Sequence, residues 1–358
     1  MLICRSQLPM KLYFFLLWLM VNVVTIPVHA QLGGNYVYGF LNLPTGARAA
    51  GLGGYASPTA DKTLDFAIFN PSLANESMLG NYSFQQAILP SGITFGTIST
   101  ALLVKKGVLV PYIRHVSYGS FQGYDATGNA TNTFSAFDFQ TGASYSYPIN
   151  PVFTLGVNAG IIGSYLETYS SYGLSGGFAV QYHHTSELIH ATLLARNVGV
   201  QLKGYTGIDD ALNSLPLEIQ SSISIKLKHA PLRFTFIGHH LNQWKIGYYD
   251  PTILPKIDGL TGDTIQPPSV GFVEQLGRHL VMQAELVTNG VFQLRIGFDY
   301  HRRQELKLEQ APGISGLSFG VGLNFRKFRL DYGFMVYSKA GMNNSIGLST
   351  KLSDWKKH

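Results

Sequence analysis

The stretch LSFGVGLNFRKFRLDYGFMV, Leu317 to Val336, decides the fold. Leu317, Phe319, Val321, Leu323 and Phe325 alternate with Ser318, Gly320, Gly322 and Asn324. After Arg326-Lys327 the alternation resumes: Phe328, Leu330, Tyr332, Phe334 and Val336 stand against Arg329, Asp331, Gly333 and Met335. Period two is the pattern of a strand with two unlike faces. Two such runs joined by a two-residue turn make an antiparallel hairpin.

The same pattern recurs along the chain. In Phe292–Tyr300, Phe292, Leu294, Ile296, Phe298 and Tyr300 share one face and Gln293, Arg295, Gly297 and Asp299 the other. Leu217–Leu227 and Phe153–Ile161 repeat it. A soluble sandwich also alternates, with its polar face in water, but its strands average about 5–6 residues. The runs here extend to about 9–15 residues, the length of tilted membrane strands. Their polar face is rich in Gly, Ser, Thr and Asn, which suits a crowded lumen better than a free surface.

Composition agrees. Only 13% of the 358 residues are charged and another 13% are aromatic, with 39 glycines. A typical soluble domain carries about 25% charge. No apolar run after residue 30 is long enough for a membrane helix. The sequence therefore predicts an all-β fold, a transmembrane antiparallel barrel of about 14 strands. The net charge of +6 is scattered; there is no basic stripe for nucleic acid.

The first 30 residues read as a secretory signal peptide. Arg5 and Lys11 precede the apolar run Leu12 to Val21, and Val28 and Ala30 form a small-residue cleavage site before Gln31. Cys4, the one cysteine, lies within that signal. The mature chain then has neither disulfides nor cysteine metal ligands.

Residues 31–80 lack sustained alternation and are expected to form an N-terminal plug or hatch. Residues 81–352 form the barrel, and 353–358 a periplasmic tail. Alternate connections are very short: Lys105-Lys106, Asn150-Pro151, Thr185-Ser186-Glu187, Ala230-Pro231, Asn289-Gly290 and Arg326-Lys327. The others are longer: 89–92, 122–133, 167–172, 204–216, 242–278, 303–315 and 338–344. Short periplasmic turns and longer outer loops are the bacterial pattern, with both termini periplasmic.

The N-terminal segment LPTGARAAGLGGYASPTADKTLDFAIFNPSLA, Leu43 to Ala74, carries Ala-Arg-Ala-x-Gly-x-Gly-Gly at Ala47 to Gly54 and Asn-Pro-Ser-Leu at Asn70 to Leu73. It resembles the opening of the PorV/PorQ family of Bacteroidota outer-membrane barrels, within the wider fatty-acid-transporter-like barrel group. HVSYGSFQGYDATGN (115–129), FSAFDFQTGASYSYPI (134–149) and the block from Gly316 to Leu352 are similar to the same family. The resemblance covers nearly the whole mature chain and is most like its PorQ-like members. It implies an outer-membrane subunit of the type IX secretion attachment complex. Such a subunit holds a PorZ-like protein at the surface, beside PorU and PorV, while cargo is joined to anionic lipopolysaccharide. Two other functions stay open: a transporter of hydrophobic small molecules, by analogy with the wider group, and a PorV-like cargo shuttle. The ending SDWKKH departs from the terminal aromatic residue of many such barrels.

Gly51, Gly53 and Ala56 fit a loose dinucleotide pattern, but no strand precedes them. The expectation is tight backbone packing against or inside the barrel, with Arg48 pairing with a lumenal carboxylate. Two G-x-S-x-G matches, at Ser175 and Ser318, fall within strands rather than at the strand-to-helix turn a nucleophile needs. No catalytic residue, metal or cofactor is expected. His183-His184 and His239-His240 are adjacent strand residues that should face opposite ways. Arg295, Asp299, Arg329 and Asp331 share lumen faces and are expected to pair, with a permeation or ligand path as the alternative. The loop 242–278, at about 37 residues too long for a turn, holds Trp244, Tyr248, Tyr249, Ile253 and Leu254. It is expected to be the docking surface for the partner, with folding back over its own barrel as the alternative.

Overall fold

The structure, a computed structural model, describes residues 36–89, 92–205, 213–247, 256–257, 264–265, 270–288, 290–306, 313–338 and 341–355. The expected signal peptide and cleavage site lie outside the described residues.

Strands β1 (Asn81–Ile88), β2 (Thr94–Thr100), β3 (Leu102–Val104), β4 (Gly107–Tyr124), β5 (Ala130–Pro148), β6 (Phe153–Leu166), β7 (Tyr169–His183), β8 (Ile189–Lys203), β9 (Glu218–Lys226) and β10 (Leu232–Gly238) are each antiparallel to the strands they pair. A short hairpin, β11 (Lys256–Ile257) and β12 (Thr264–Ile265), lies in the long loop. The sheet continues with β13 (Leu280–Leu286), β14 (Phe292–Asp299), β15 (Leu317–Asn324), β16 (Phe328–Ser338) and β17 (Gly341–Lys351). It closes where β1 pairs β17, from Asn81↔Lys351 to Ile88↔Asn344. β2 and β3 both pair β4 and are one stave interrupted at Ala101, so the barrel has fourteen staves. Among the described residues no helix is long and apolar enough to cross a membrane.

The two faces are inverted relative to a soluble protein. On β1, Tyr82, Phe84 and Ile88 are exposed while Ser83 and Gln85 are buried. On β14, Phe292, Leu294 and Ile296 face outward while Arg295 and Asp299 are buried. Apolar outside and polar inside is what a barrel wall in lipid requires, since closure satisfies the backbone and lipid solvates the side chains.

Three of the longer connections are shorter than the sequence suggests. β4 and β5 reach Tyr124 and Ala130, β6 and β7 reach Leu166 and Tyr169, and β16 and β17 reach Ser338 and Gly341. At the ends of β4 and β5 the ladder continues where both faces are exposed and the alternation of burial fades. β14, in contrast, ends at Asp299, not near residue 302, and the chain turns into a helix. At the other end, β17 runs into a 3-10 turn, Leu352–Trp355. Trp355 donates to Thr350 Oγ1 at 2.7 Å and lies under Lys327. Residues 356–358 of the expected tail are outside the described residues.

Residues 36–80 run through the barrel interior. They form a 3-10 turn (Gly39–Asn42), helices α1 (Ala47–Gly51) and α2 (Leu64–Phe69), and 3-10 turns at Pro71–Leu73 and Glu76–Met78. Leu41, Leu52, Leu64, Phe66, Leu73 and Met78 are completely buried. Each such side chain contributes about 1.5–3 kcal/mol through burial.

Wall glycines make room for this segment. A Cβ on Gly51 would sit 2.8 Å from Gly320 Cα of β15. One on Gly333 of β16 would strike Ala47 O, and one on Gly297 of β14 would strike Leu52. α1 therefore lies directly on a floor of three strand glycines. Gly53 and Gly54 have φ of +84° and +96°, values that glycine adopts without strain. The Asn-Pro-Ser-Leu motif is built the same way. Asn70 Oδ1 accepts from Ser72 N at 3.2 Å and Ser72 Oγ at 2.7 Å, capping the turn. Gly156 of β6 leaves the space that Pro71 and Ser72 occupy.

Candidate functional site

Three features of the lumen and its mouth carry chemistry. The first is a buried ionic network near the end of the barrel that bears the short turns. Arg48 of α1 grips Glu285 of β13 with both Nε and Nη2, each at 3.0 Å. Its Nη1 donates to Asp61 and, at 2.6 Å, to Thr63 Oγ1, and its guanidinium lies 4.7 Å over the Phe66 ring. Glu285 also faces Arg233 at 3.2 Å and Arg295 at 3.3 Å. Arg295 reaches on to Asp331 at 2.7 Å, and Arg329 binds the other oxygen of Asp331 at 2.7 Å. Four arginines and three carboxylates thus join plug to wall. Fork-shaped guanidinium–carboxylate pairs fix geometry as well as charge.

Of the residues singled out from sequence, Arg48, Arg295, Arg329 and Asp331 meet in this network. Asp299 does not. It sits at the opposite end of β14, where it accepts from Arg302 N at 3.0 Å and pairs with the Arg302 guanidinium at 3.3 Å. Sequence reasoning missed Glu285, Arg233 and Asp61. For Glu285 the signal was present, because it shares the polar phase of β13 with Gln283.

Further bonds stitch plug to wall around the lumen. Gln85 Oε1 accepts from Ala47 N at 2.9 Å, and Gln283 Nε2 donates to Leu52 O at 2.8 Å. Arg114 donates to Leu43 O at 3.1 Å, and Tyr38 OH meets Ser171 Oγ at 2.7 Å.

The second feature is a half-open cavity of about 260 Å³ toward the long-loop end. Tyr55, Arg196, Glu218, His240, Asp299 and His301 are among its walls. Helix α4 (Tyr300–Leu306) brings His301 and Arg302 to it. His239 and His240 follow β10 directly. The strand rule would separate them, but His240 has φ +53°, which breaks the alternation. Their Nδ1 atoms lie 2.6 Å apart. Burial first, then the charge of His240, pushes His239 down to about 3. At the turn end, His183 and His190 are cross-strand partners on β7 and β8, with Nδ1 atoms 3.3 Å apart. Ser175 sits within β7 and accepts from Gln140 Nε2 at 2.8 Å.

The third feature is an apolar face beside the mouth. Helix α3 (Phe272–Arg278) exposes Phe272 (70%), Val273 (80%) and Leu276 (52%). Trp244 packs 5.3 Å from the Phe272 ring and 5.4 Å from the His279 ring, and is itself half exposed. Arg278 ties α3 to Glu305 of α4. The described part of the long loop thus folds onto the barrel mouth and still presents an apolar face. Tyr248, Tyr249, Ile253 and Leu254 lie outside the described residues.

Comparison with solved structures finds barrels of this architecture. A deltaS2S3 mutant of the TodX monoaromatic hydrocarbon channel aligns with a TM-score of 0.50 at 12% identity, covering 86% of this chain and 99% of that one. The CymD monoaromatic hydrocarbon channel gives 0.49 at 12% identity, covering 86% and 96%. A Pseudomonas aeruginosa FadL homologue gives 0.45 at 10% identity, covering 86% and 98%. At these identities the likeness is one of fold alone, a closed antiparallel β-barrel. No protein-family model matches the sequence. No curated protein matches it either.

Proposed function

We propose that this chain is a sealed, plugged outer-membrane barrel that anchors a protein partner at its long-loop end. The observation that carries this reading is the locked plug. Arg48 is held by Glu285 and Asp61 with 3% of its side chain exposed, and α1 rests on wall glycines with no intervening space. A plug held by paired buried charges is costly to move. The apolar face of Trp244, Phe272, Val273 and Leu276 supplies a docking surface, since exposed aromatic and aliphatic clusters beside a membrane mark interfaces. The sequence resemblance gives the partner its chemistry: a PorZ-like surface protein, with PorU and PorV in the same type IX attachment complex. The long loops then face outside and both termini the periplasm. Membrane lipid and lipopolysaccharide surround the barrel.

The test is a Phe272→Ser, Val273→Ser variant that still assembles as a heat-resistant barrel. Loss of partner retention in outer-membrane fractions supports the anchor. Full retention by the assembled variant contradicts it.

A second reading is favoured by the structural likeness: passage of hydrophobic small molecules, as in the TodX and CymD channels. It needs the plug to shift and an apolar path to open. Uptake of a monoaromatic hydrocarbon into liposomes carrying the full chain would support this reading over the anchor.

A further inference from the structure

We propose that Glu218, His239 and His240 bind a divalent transition-metal ion at the long-loop end of the lumen. Two elements of the wall bring them together: Glu218 opens β9, and the two histidines follow β10, which pairs β9. One ligand atom from each falls within 4.8 Å of the other two. His240 Nδ1 lies 2.6 Å from His239 Nδ1 and 3.6 Å from Glu218 Oε1.

The unmet valence of the cluster points to a cation. Glu218 is 3% exposed and His239 fully buried, yet Glu218 Oε1 accepts no hydrogen bond and the two Nδ1 atoms face each other. A buried carboxylate oxygen without a donor is expensive. Arg196 stands 3.8 Å from the other oxygen, Oε2, and leaves Oε1 unserved. A single proton can bridge the two imidazoles, but it gives Oε1 nothing. A metal ion held by Oε1 and the two Nδ1 atoms serves those three atoms at once.

The donor set selects the ion. Two imidazoles and one carboxylate suit Zn²⁺, Co²⁺, Ni²⁺ or Cu²⁺, whereas Mg²⁺ and Ca²⁺ demand oxygen ligands. A tetrahedral zinc centre holds two imidazole nitrogens about 3.3 Å apart, so the histidine pair opens by a fraction of an ångström on binding. Glu218 and His240 both line the cavity. His301 of α4 also lines it with its Nδ1 unbonded, its ring centre 6.0 Å from that of His239 and 6.4 Å from that of His240. The ion therefore ties the start of β9 to the end of β10 beside the cavity. The strained φ of His240 has a purpose in this arrangement, since without it the second ring points away.

The test uses the full chain, purified in detergent and stripped with chelator. Calorimetric titration with Zn²⁺ alone is expected to give about one ion per chain, and saturation to raise the unfolding temperature by mass action. Co²⁺ should show the visible absorption of a low-coordinate site. Glu218→Gln and His240→Gln should each weaken Zn²⁺ by more than the roughly 10–100-fold that losing an outer-shell partner costs. His240 is 30% exposed in its side chain, so that variant tests the site with least risk to the fold. His190→Gln, at the other histidine cluster, should leave Zn²⁺ binding unchanged. Absence of stoichiometric binding by the wild-type chain overturns the proposal. So does binding that survives both Glu218→Gln and His240→Gln.

Discussion

Arg48 and Glu285 stand 237 positions apart in sequence and meet through two parallel 3.0 Å bonds inside the barrel. Each side chain is 3% exposed. This contact joins the plug to β13, and through Arg233 and Arg295 it draws in the walls on either side.

Glu285→Gln should therefore cost more than Arg48→Met. The first leaves three arginines facing a neutral amide, whereas the second removes one of several cations around Glu285. Breaking a buried pair on one side costs about 3–5 kcal/mol, and Glu285→Gln belongs at the upper end. Urea unfolding of the barrel in detergent, followed by the shift between folded and unfolded gel bands, measures both. The double variant should fall short of the sum, as partners in one network do.

Wall glycines give a second prediction. Gly320→Ala forces a methyl group toward Gly51, and Gly333→Ala one into Ala47 O. Overpacking of this kind costs about 1–3 kcal/mol. Limited proteolysis should release the plug from either variant under conditions that spare the wild type. Gly39→Ala, with open space around its Cβ, should stay within about 0.5 kcal/mol.

The alternation of β14 to β17 was legible because lipid and lumen demand opposite residue types on adjacent positions. Ser318, Gly320 and Gly322 against Phe319, Val321 and Leu323 admit one register. The ladders above the apolar band were not legible. Near Tyr124↔Ala130 both faces meet water, so the 122–133 segment reads as loop although most of it is paired. The plug's path was equally hidden, since backbone contacts with Gly297, Gly320 and Gly333 place α1 and leave no periodic signal. Arg48 could be singled out as a cation in an apolar setting, but its partner could not be chosen among the lumenal acids. The meeting of His239 and His240 depends on one positive φ that no residue type announces.

A third prediction concerns the lipid face. Ile296→Arg places a charge on the outer face of β14, where Ile296 is exposed between Arg295 and Gly297. At mid-membrane depth this costs about 2–4 kcal/mol. Folding into liposomes should fail at urea concentrations the wild type tolerates, while Ile296→Leu should behave as wild type.

The tip between β4 and β5 gives a pH test. Asp125 accepts from Thr127 N and Asn129 N, both at 2.9 Å, and from Thr127 Oγ1 at 2.7 Å. The Thr127 hydroxyl, then the Asn129 amide, hold its carboxyl down at about 2. A depressed acid stabilises the tip fully above its unfolded value of about 3.9 and loses that contribution as pH falls toward the folded value. Amide exchange at Thr127 and Asn129 should therefore stay slow at pH 5 and quicken below about pH 3 relative to its intrinsic rate. Asp125→Ala should show the fast behaviour at both pH values.

The anchoring role is tested most directly by isolating the tagged full chain from its native outer membrane in mild detergent and identifying what accompanies it by mass spectrometry. The account predicts one dominant large surface protein of the PorZ type, with PorU-like and PorV-like subunits below it. Recovery of the barrel with no protein partner, but with an apolar small molecule bound in its lumen, would contradict it.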